Sequence, residues 1–172
     1  MSSLEPDSEG LEFIFGMFIL RVLLAMSAIL TGIQKFSGTG TQTVLSEING
    51  KPNDYGLTET LTQKTYSLSN NQGLPSALYD RLKLEPLVPN WALNFYDTLI
   101  GPFLIIVGVT LLLGIATRLS LLALGLVHMI LIMGLILIGY DAGIASAGVH
   151  IIMIVMALTL INYNRFTLVK NL

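Results

Sequence analysis

Four residues that can carry charge near neutral pH lie within the long apolar segments of this chain, Arg21, Asp97, His128 and His150, and Lys35 lies just beyond the end of the first segment. A charged group at the centre of a bilayer is costly, so such a side chain is expected to face protein and to have a partner. Neutral histidine can shuttle protons, hydrogen-bond a quinone carbonyl or ligate a metal. We therefore predict an intramembrane polar site built from these residues. The alternative is that each histidine only hydrogen-bonds a neighbouring helix.

Arg21 and Asp97 form the leading pair because they carry opposite charges at comparable depths. At about 1.5 Å per helical residue, Arg21 lies about 12 Å beyond Phe13, and Asp97 lies about 9 Å beyond Trp91 from the opposite side. Across a hydrocarbon core of about 30 Å their Cα levels then differ by about 9 Å, which two side chains nearly close. We predict an Arg21–Asp97 ion pair that anchors a ligand head group. Lys35, at the outer end of the first apolar segment, competes for Asp97.

The two histidines are poor candidates for ligating one haem from both sides. His128 is predicted at nearly the depth of Arg21, whereas His150 is predicted in the outer half of the bilayer. The chain has no cysteine, which excludes disulfides, thiolate metal sites and covalent haem attachment. We therefore predict no metal site and assign no catalytic residue. These residues assign no cofactor by themselves; a quinone is the candidate ligand, and a simple hydrogen bond to a neighbouring helix is the favoured interpretation of each histidine.

The elements that must position these residues are four apolar segments, predicted at 13–33, 91–115, 119–140 and 143–161. A helix needs about 20 residues to cross a hydrocarbon core of about 30 Å, and each segment reaches or nearly reaches that length. Backbone groups in lipid must be satisfied within the segment, so each segment is expected to be helical. The sequence predicts an all-α polytopic membrane protein, with residues 1–172 forming one membrane domain that contains a four-transmembrane-helix bundle.

Composition agrees with a membrane protein and argues against a nucleic-acid partner. Hydrophobic residues make up 53% of the chain and charged residues 12%, against about 25% charged in ordinary soluble domains. The formal net charge is −2, and no basic stripe is present for binding phosphates. The expected partners are the lipid bilayer and other membrane protein subunits.

The distribution of basic residues predicts the orientation in the membrane. Arg118, Arg165 and Lys170 lie near the ends of apolar segments on one side, and Lys35 opposes them on the other. Because basic residues are enriched in cytoplasmic loops, both termini are predicted to be cytoplasmic. Residues 36–90 then form a long extracytoplasmic loop between the first two membrane helices.

This outer loop contains two sets of leucines at helical spacing. One set is Leu57, Leu61 and Leu68, and the other is Leu74, Leu78 and Leu82. The spacing predicts short helices lying on the bundle within a partly ordered loop. The alternative is a docking surface for another subunit.

Several short motifs resemble those of a known family. The first apolar segment contains Arg21 followed by Gly32 and Gln34-Lys35-Phe36, and the second ends in Gly114-Ile115-Ala116-Thr117-Arg118. This order is similar to the DoxX family of small four-helix membrane proteins. In that family an acidic residue, usually Glu, lies early in the second helix, where this chain has Asp97.

The resemblance implies a function linked to quinones or to redox complexes, because the family takes its name from a membrane subunit of thiosulfate:quinone oxidoreductase. It implies a subunit associated with a quinone-linked redox complex in a bacterial or archaeal plasma membrane. An enzymatic role would be that of an oxidoreductase subunit using quinone. The alternative is a non-catalytic structural or assembly subunit of a larger membrane complex.

Overall fold

A computed structural model describes residues 7–48, 51–52 and 55–167. The elements in chain order are α1 (Asp7–Gln34), β1 (Ser37–Leu45), β2 (Glu47–Ile48), β3 (Lys51–Pro52), β4 (Thr58–Tyr66), α2 (Ser76–Lys83), α3 (Asn90–Leu113), α4 (Thr117–Leu137) and α5 (Asp141–Thr159). One-turn 3-10 helices follow β4 at Leu68–Asn70 and α5 at Ile161–Tyr163.

Four helices are long and apolar enough to cross a membrane: Gly10–Gln34, Asn90–Leu113, Thr117–Leu137 and Asp141–Thr159. Their ends lie within a few residues of the predicted segments, so the prediction of four membrane helices is confirmed. Many large apolar side chains on their outer faces are exposed, including Ile19, Ile106, Leu119 and Ile152. Such faces suit contact with lipid. The chain is therefore a multi-pass membrane protein.

The prediction that the fold is all-α is wrong in the segment between α1 and α3. There β1 pairs antiparallel with β4, from Ser37 opposite Tyr66 to Leu45 opposite Thr58, and β2 pairs with β3. The helix predicted from the first leucine set is therefore absent: Leu61 lies in β4, Leu57 immediately precedes that strand, and Leu68 begins a 3-10 helix. Leucines four residues apart share a face in a strand as well as in a helix, and the neighbouring threonines favour the strand.

The second leucine set does form a helix. α2 contains Leu78 and Leu82, and Leu74 lies two residues before it. Leu82 is buried, and its side chain lies against Gly134 of α4, where an added Cβ atom would be 3.3 Å from Cδ2 of Leu82. Its packing holds α2 against the beginning of α3 and the end of α4.

The long helices form a closed ring in which each contacts the next along the chain. α1 packs most extensively on α3 and α4 on α5, and contacts of α3 with α4 and of α1 with α5 complete the ring. The ring of Phe13 lies 5.0 Å from that of Tyr163, so the beginning of α1 and the end of α5 lie at the same end of the bundle. Which end is cytoplasmic stays a prediction, and Lys170 lies outside the described residues.

Glycines allow α1 and α3 to approach closely. A Cβ atom added to Gly32 would lie 2.7 Å from Cγ1 of Ile105 and 3.0 Å from the carbonyl oxygen of Gly101. One added to Gly108 would lie 2.7 Å from Cγ1 of Ile29. Small residues at such positions let helix backbones pack together in lipid. These contacts also fix how far α1 and α3 are displaced along their axes.

We expect Gly32→Ala to destabilise the folded bundle by about 1–3 kcal/mol, because the added methyl group meets main-chain atoms that cannot move independently. The measurement is the free energy of unfolding in detergent.

Gly148→Ala is the matched control. Gly148 also lies within a membrane helix, but no atom of the described residues is within 4 Å of the added methyl group. Its effect should stay within about 0.5 kcal/mol. Equal effects of the two substitutions would contradict the importance of the α1–α3 approach.

Candidate functional site

Arg21 lies at the end of the bundle that contains the α3–α4 turn. Only 3% of its surface is exposed. Its Nη1 atom donates a hydrogen bond to Oδ1 of Asn164 at 2.7 Å and another to the carbonyl oxygen of Phe166. Asn164 in turn donates from Nδ2 to Oγ1 of Thr117 at 3.0 Å. Arg21 therefore joins α1 to the segment after α5 and to the start of α4.

The predicted Arg21–Asp97 ion pair is wrong. Arg21 lies beside Gly114, at the end of α3, where an added Cβ would be 2.9 Å from Nη1. Asp97 is seventeen residues earlier on α3, which corresponds to about 25 Å along the helix. The depths of the two residues, estimated from the ends of the apolar segments, were wrong. The Gly32–Gly101 contact determines how far α1 is displaced along α3.

Asp97 instead holds the segment that returns from the β-hairpin to the bundle. Its Oδ1 atom accepts a hydrogen bond from the main-chain N–H of Leu74 at 2.7 Å. Gly73 lies directly against Asp97, since an added Cβ would be 2.1 Å from the Asp97 carbonyl oxygen. Two further bonds hold the segment, from Asn71 Nδ2 to the Thr98 carbonyl and from Gln72 N–H to the Lys35 carbonyl, at 2.9 and 2.8 Å.

Lys35, the predicted competitor for Asp97, is the basic residue that interacts with it electrostatically. Lys35 is half-buried immediately after α1. Burial lowers the pKa of its amine, because desolvation disfavours the charged form, and the Asp97 charge partly offsets this by raising the pKa.

A cavity of about 340 Å³ lies between α1, α3, α4 and α5, and residues 73–75 and Leu78 contribute to its wall. The predicted residues Lys35, His128 and His150 line it. Asp97 lies next to the cavity, because it accepts a hydrogen bond from Leu74, a residue of the wall. Arg21 lies at the opposite end of the bundle. The structure thus brings three of the five predicted residues together.

The two histidines lie at the same level, contrary to the predicted difference in depth. Their rings are stacked, with centroids 5.2 Å apart and planes inclined by 20°. His128 lies eleven residues before Gly139 and His150 eleven residues after it. Because α4 and α5 are antiparallel helices joined by a short turn at Gly139, equal separations from that turn give equal depths. This symmetry was available in the sequence.

Hydrogen bonds orient both imidazole rings. Nδ1 of His128 lies 2.8 Å from the Leu124 carbonyl oxygen, and Nδ1 of His150 lies 3.0 Å from that of Ser146. Nε2 of His150 lies 3.2 Å from Oγ of Ser27 on α1. The histidines therefore connect α4, α5 and α1 around the cavity.

Sequence analysis missed other polar residues of the cavity wall, which are Ser27, Thr31, Tyr96, Tyr140 and Ser146. Ser27, Thr31 and Lys35 follow one another at four-residue intervals, which places them on one face of a helix. That polar stripe on an otherwise apolar helix is the signal that could have identified this wall.

An apolar groove of about 310 Å³ adjoins this cavity, whose own wall is mostly apolar with a few polar groups. The groove runs between α2, α3 and α4, and Leu74, Tyr96 and Leu131 line both spaces. A cavity with a few polar groups next to an apolar groove suits an amphiphile with a polar head and a hydrocarbon tail. Among the described residues, no three His, Cys, Asp or Glu side chains come together as a metal site would need.

The fold and the site define the class of this protein: a four-span membrane protein with a small, mostly apolar cavity that contains a few ionisable groups in one half of its bundle. Comparison of the chain with protein-family models, with curated proteins and with solved structures finds no match.

We expect Arg21 and Asn164 to be energetically coupled. Arg21→Ala leaves the Asn164 amide oxygen and the Phe166 carbonyl without their donor, which costs about 1–3 kcal/mol. A double-mutant cycle with Asn164→Ala, measured by unfolding in detergent, should give a coupling energy of about 0.5–3 kcal/mol.

The control cycle uses Arg118 and Asn162, whose hydrogen bond at the same end of the bundle is exposed and 3.4 Å long. Their coupling should remain within about 0.5 kcal/mol. A coupling of Arg21 with Asn164 no larger than this would show that the buried contact contributes nothing to stability.

We expect Lys35 to lose its proton at lower pH than an ordinary lysine, and at still lower pH in Asp97→Asn. The substitution removes the charge that raises the pKa of the amine but keeps an oxygen to accept from Leu74. The measurement is the pH dependence of acylation of Lys35 by a small amine-specific reagent, read by mass spectrometry.

Exposed Lys83 is labelled in the same sample and serves as the internal reference. Its labelling curve should be the same in the wild-type protein and in Asp97→Asn. Unchanged labelling of Lys35 after the substitution would contradict its electrostatic interaction with Asp97.

Proposed function

We propose that this protein is a DoxX-like membrane subunit that binds a quinone and associates with a quinone-linked redox complex. The single observation that carries the proposal is the cavity lined by Lys35, His128 and His150. Ionisable side chains within membrane helices are candidate functional sites, because their cost in lipid has to be offset by a role.

The size and lining of the cavity suit the head group of a quinone. Its volume of about 340 Å³ falls at the small end of the range of about 300–1,000 Å³ for ligand sites. His128 and His150 add polar aromatic side chains to the cavity wall, and the amine of Lys35 can donate to a ring oxygen.

The apolar groove between α2, α3 and α4 supports a ligand that carries an isoprenoid or alkyl tail. Leu74, Tyr96 and Leu131 line both spaces, so the groove adjoins the cavity at these side chains. A ligand with its head group in the cavity could therefore place its tail in the groove. Small-molecule sites that combine a few polar groups with mostly apolar walls are typical of bundles.

A partner subunit would supply the electron carrier. The chain has no cysteine to hold an iron–sulfur cluster. This chain would therefore contribute the quinone-binding cavity, and any oxidoreductase activity would belong to the complex. Enrichment of basic residues in cytoplasmic loops supports an outward-facing cavity, because Arg118 and Arg165 lie at the opposite end. The family resemblance supports a bacterial or archaeal plasma membrane.

The second candidate is a structural or assembly subunit, and the β-hairpin favours it. Every residue of β4 is exposed, and an exposed strand can pair with a strand of another protein. In that role the protein would bind partner subunits without binding a quinone.

The test is binding of a decyl-substituted benzoquinone, in its oxidised and its reduced form, to the purified protein in mild detergent, measured by calorimetry. We expect His128→Leu to weaken binding of the reduced form about fivefold or more, because it removes a polar group of the cavity wall. Native mass spectrometry of the same preparation from its own membrane would detect co-extracted redox subunits.

Met129→Leu is the matched control, since Met129 is the next residue on α4 and is exposed on the outer face. It should bind the quinone as the wild-type protein does. Absence of quinone binding together with a stoichiometric complex of other subunits would overturn the proposal in favour of the structural role.

A further inference from the structure

The hydrogen-bonding state of both cavity histidines follows from their contacts. An Nδ1 atom 2.8 or 3.0 Å from a main-chain carbonyl oxygen must carry a hydrogen, because two acceptors would repel at that distance. A neutral imidazole has one N–H and one lone pair. In neutral His128 and His150, therefore, Nδ1 is the donor and Nε2 is the acceptor.

The two Nε2 lone pairs have different surroundings. That of His150 accepts the hydroxyl hydrogen of Ser27 at 3.2 Å. That of His128 has no hydrogen-bond partner among the described residues, and the atom is not fully enclosed. His128 lines the cavity, so the cavity has one free imidazole acceptor. The Ser27 hydroxyl donates its hydrogen to His150, so only the lone pairs of its oxygen remain available to a ligand.

Lys35 is a donor of opposite character in the cavity wall, since its ammonium form has three hydrogens and no lone pair, unlike the hydroxyl groups of the wall, which both donate and accept. The wall thus contains a donor-only group just after α1 and an acceptor on α4, His128. A ligand that satisfies both must have an oxygen that accepts and a hydroxyl that donates.

We propose that the cavity selects the reduced, dihydroxy form of a quinone over the oxidised form. This inference rests on the proposed function and names the form of the ligand. A hydroquinone donates one hydroxyl to Nε2 of His128, and its second oxygen accepts from Lys35. The oxidised form has only carbonyl acceptors, so bringing it against His128 removes water from the lone pair and supplies no hydrogen in return.

His150 is a positioning residue in this arrangement. Its Nε2 is occupied by Ser27, so it does not compete with His128 for the ligand hydroxyl. Its ring stacks on that of His128 and helps to hold it in place.

The experiment compares three ligands with one decyl tail: the hydroquinone kept reduced under argon, the quinone and the dimethyl ether of the hydroquinone. Calorimetry in detergent should give affinity for the hydroquinone about fivefold or more above the other two, as expected for one hydrogen bond. In His128→Leu the three affinities should become equal within about twofold. Met129→Leu, on the exposed face of α4, keeps the His128 acceptor and should retain the preference.

The outcomes separate this inference from the proposed function. If no ligand binds the wild-type protein, the proposed function fails. If the hydroquinone and the quinone bind equally, the protein still binds quinones and only the selectivity is overturned. The dimethyl ether tests the donated hydroxyl in the wild-type protein itself, so the result does not depend on the folding of His128→Leu. A preference that survives in a folded His128→Leu variant would exclude His128 as its origin.

Discussion

The close approach of α1 and α3 at Gly32 and Gly108 is the constraint on which the other features depend. Gly32 lies near the end of α1 and faces Gly101, which is eleven residues into α3. The beginning of α3 therefore extends beyond the end of α1 by roughly 13 Å. The segment that follows the β-hairpin covers this step, and Asp97 holds it there. The same stagger places Arg21 beside Gly114 at the other end.

Polar groups at the two ends of the bundle have different roles because their surroundings differ. Arg21 is bonded to an amide and a main-chain carbonyl of the segment after α5, and its Nε is buried without a partner among the described residues. Such a group contributes to holding elements together. Lys35 and His128 instead line an open volume and keep hydrogen-bonding capacity that the described residues do not use, whereas both nitrogens of His150 are hydrogen-bonded. This unused capacity is what points to a ligand.

Lipid surroundings make the direction of each hydrogen bond important. In water an unpaired imidazole lone pair is solvated at little cost, whereas within a bundle its partner must come from protein, bound water or ligand. The carbonyls of Leu124 and Ser146 fix the hydrogen on Nδ1 of both histidines. The chemistry offered to a ligand is thus determined by main-chain atoms one helical turn away as well as by the side chains in the wall.

The sequence alone determined that four segments cross the membrane, since length and apolarity suffice where backbone groups must be satisfied within each segment. It also identified Lys35, His128 and His150 as polar residues of the bundle. Distances along single helices could not determine their partners, because stagger and rotation depend on packing between helices. Glycine contacts separated Arg21 from Asp97, and the α4–α5 turn brought the histidines level. Only the tertiary structure decided which polar groups share a cavity, since that requires contacts between residues distant along the chain.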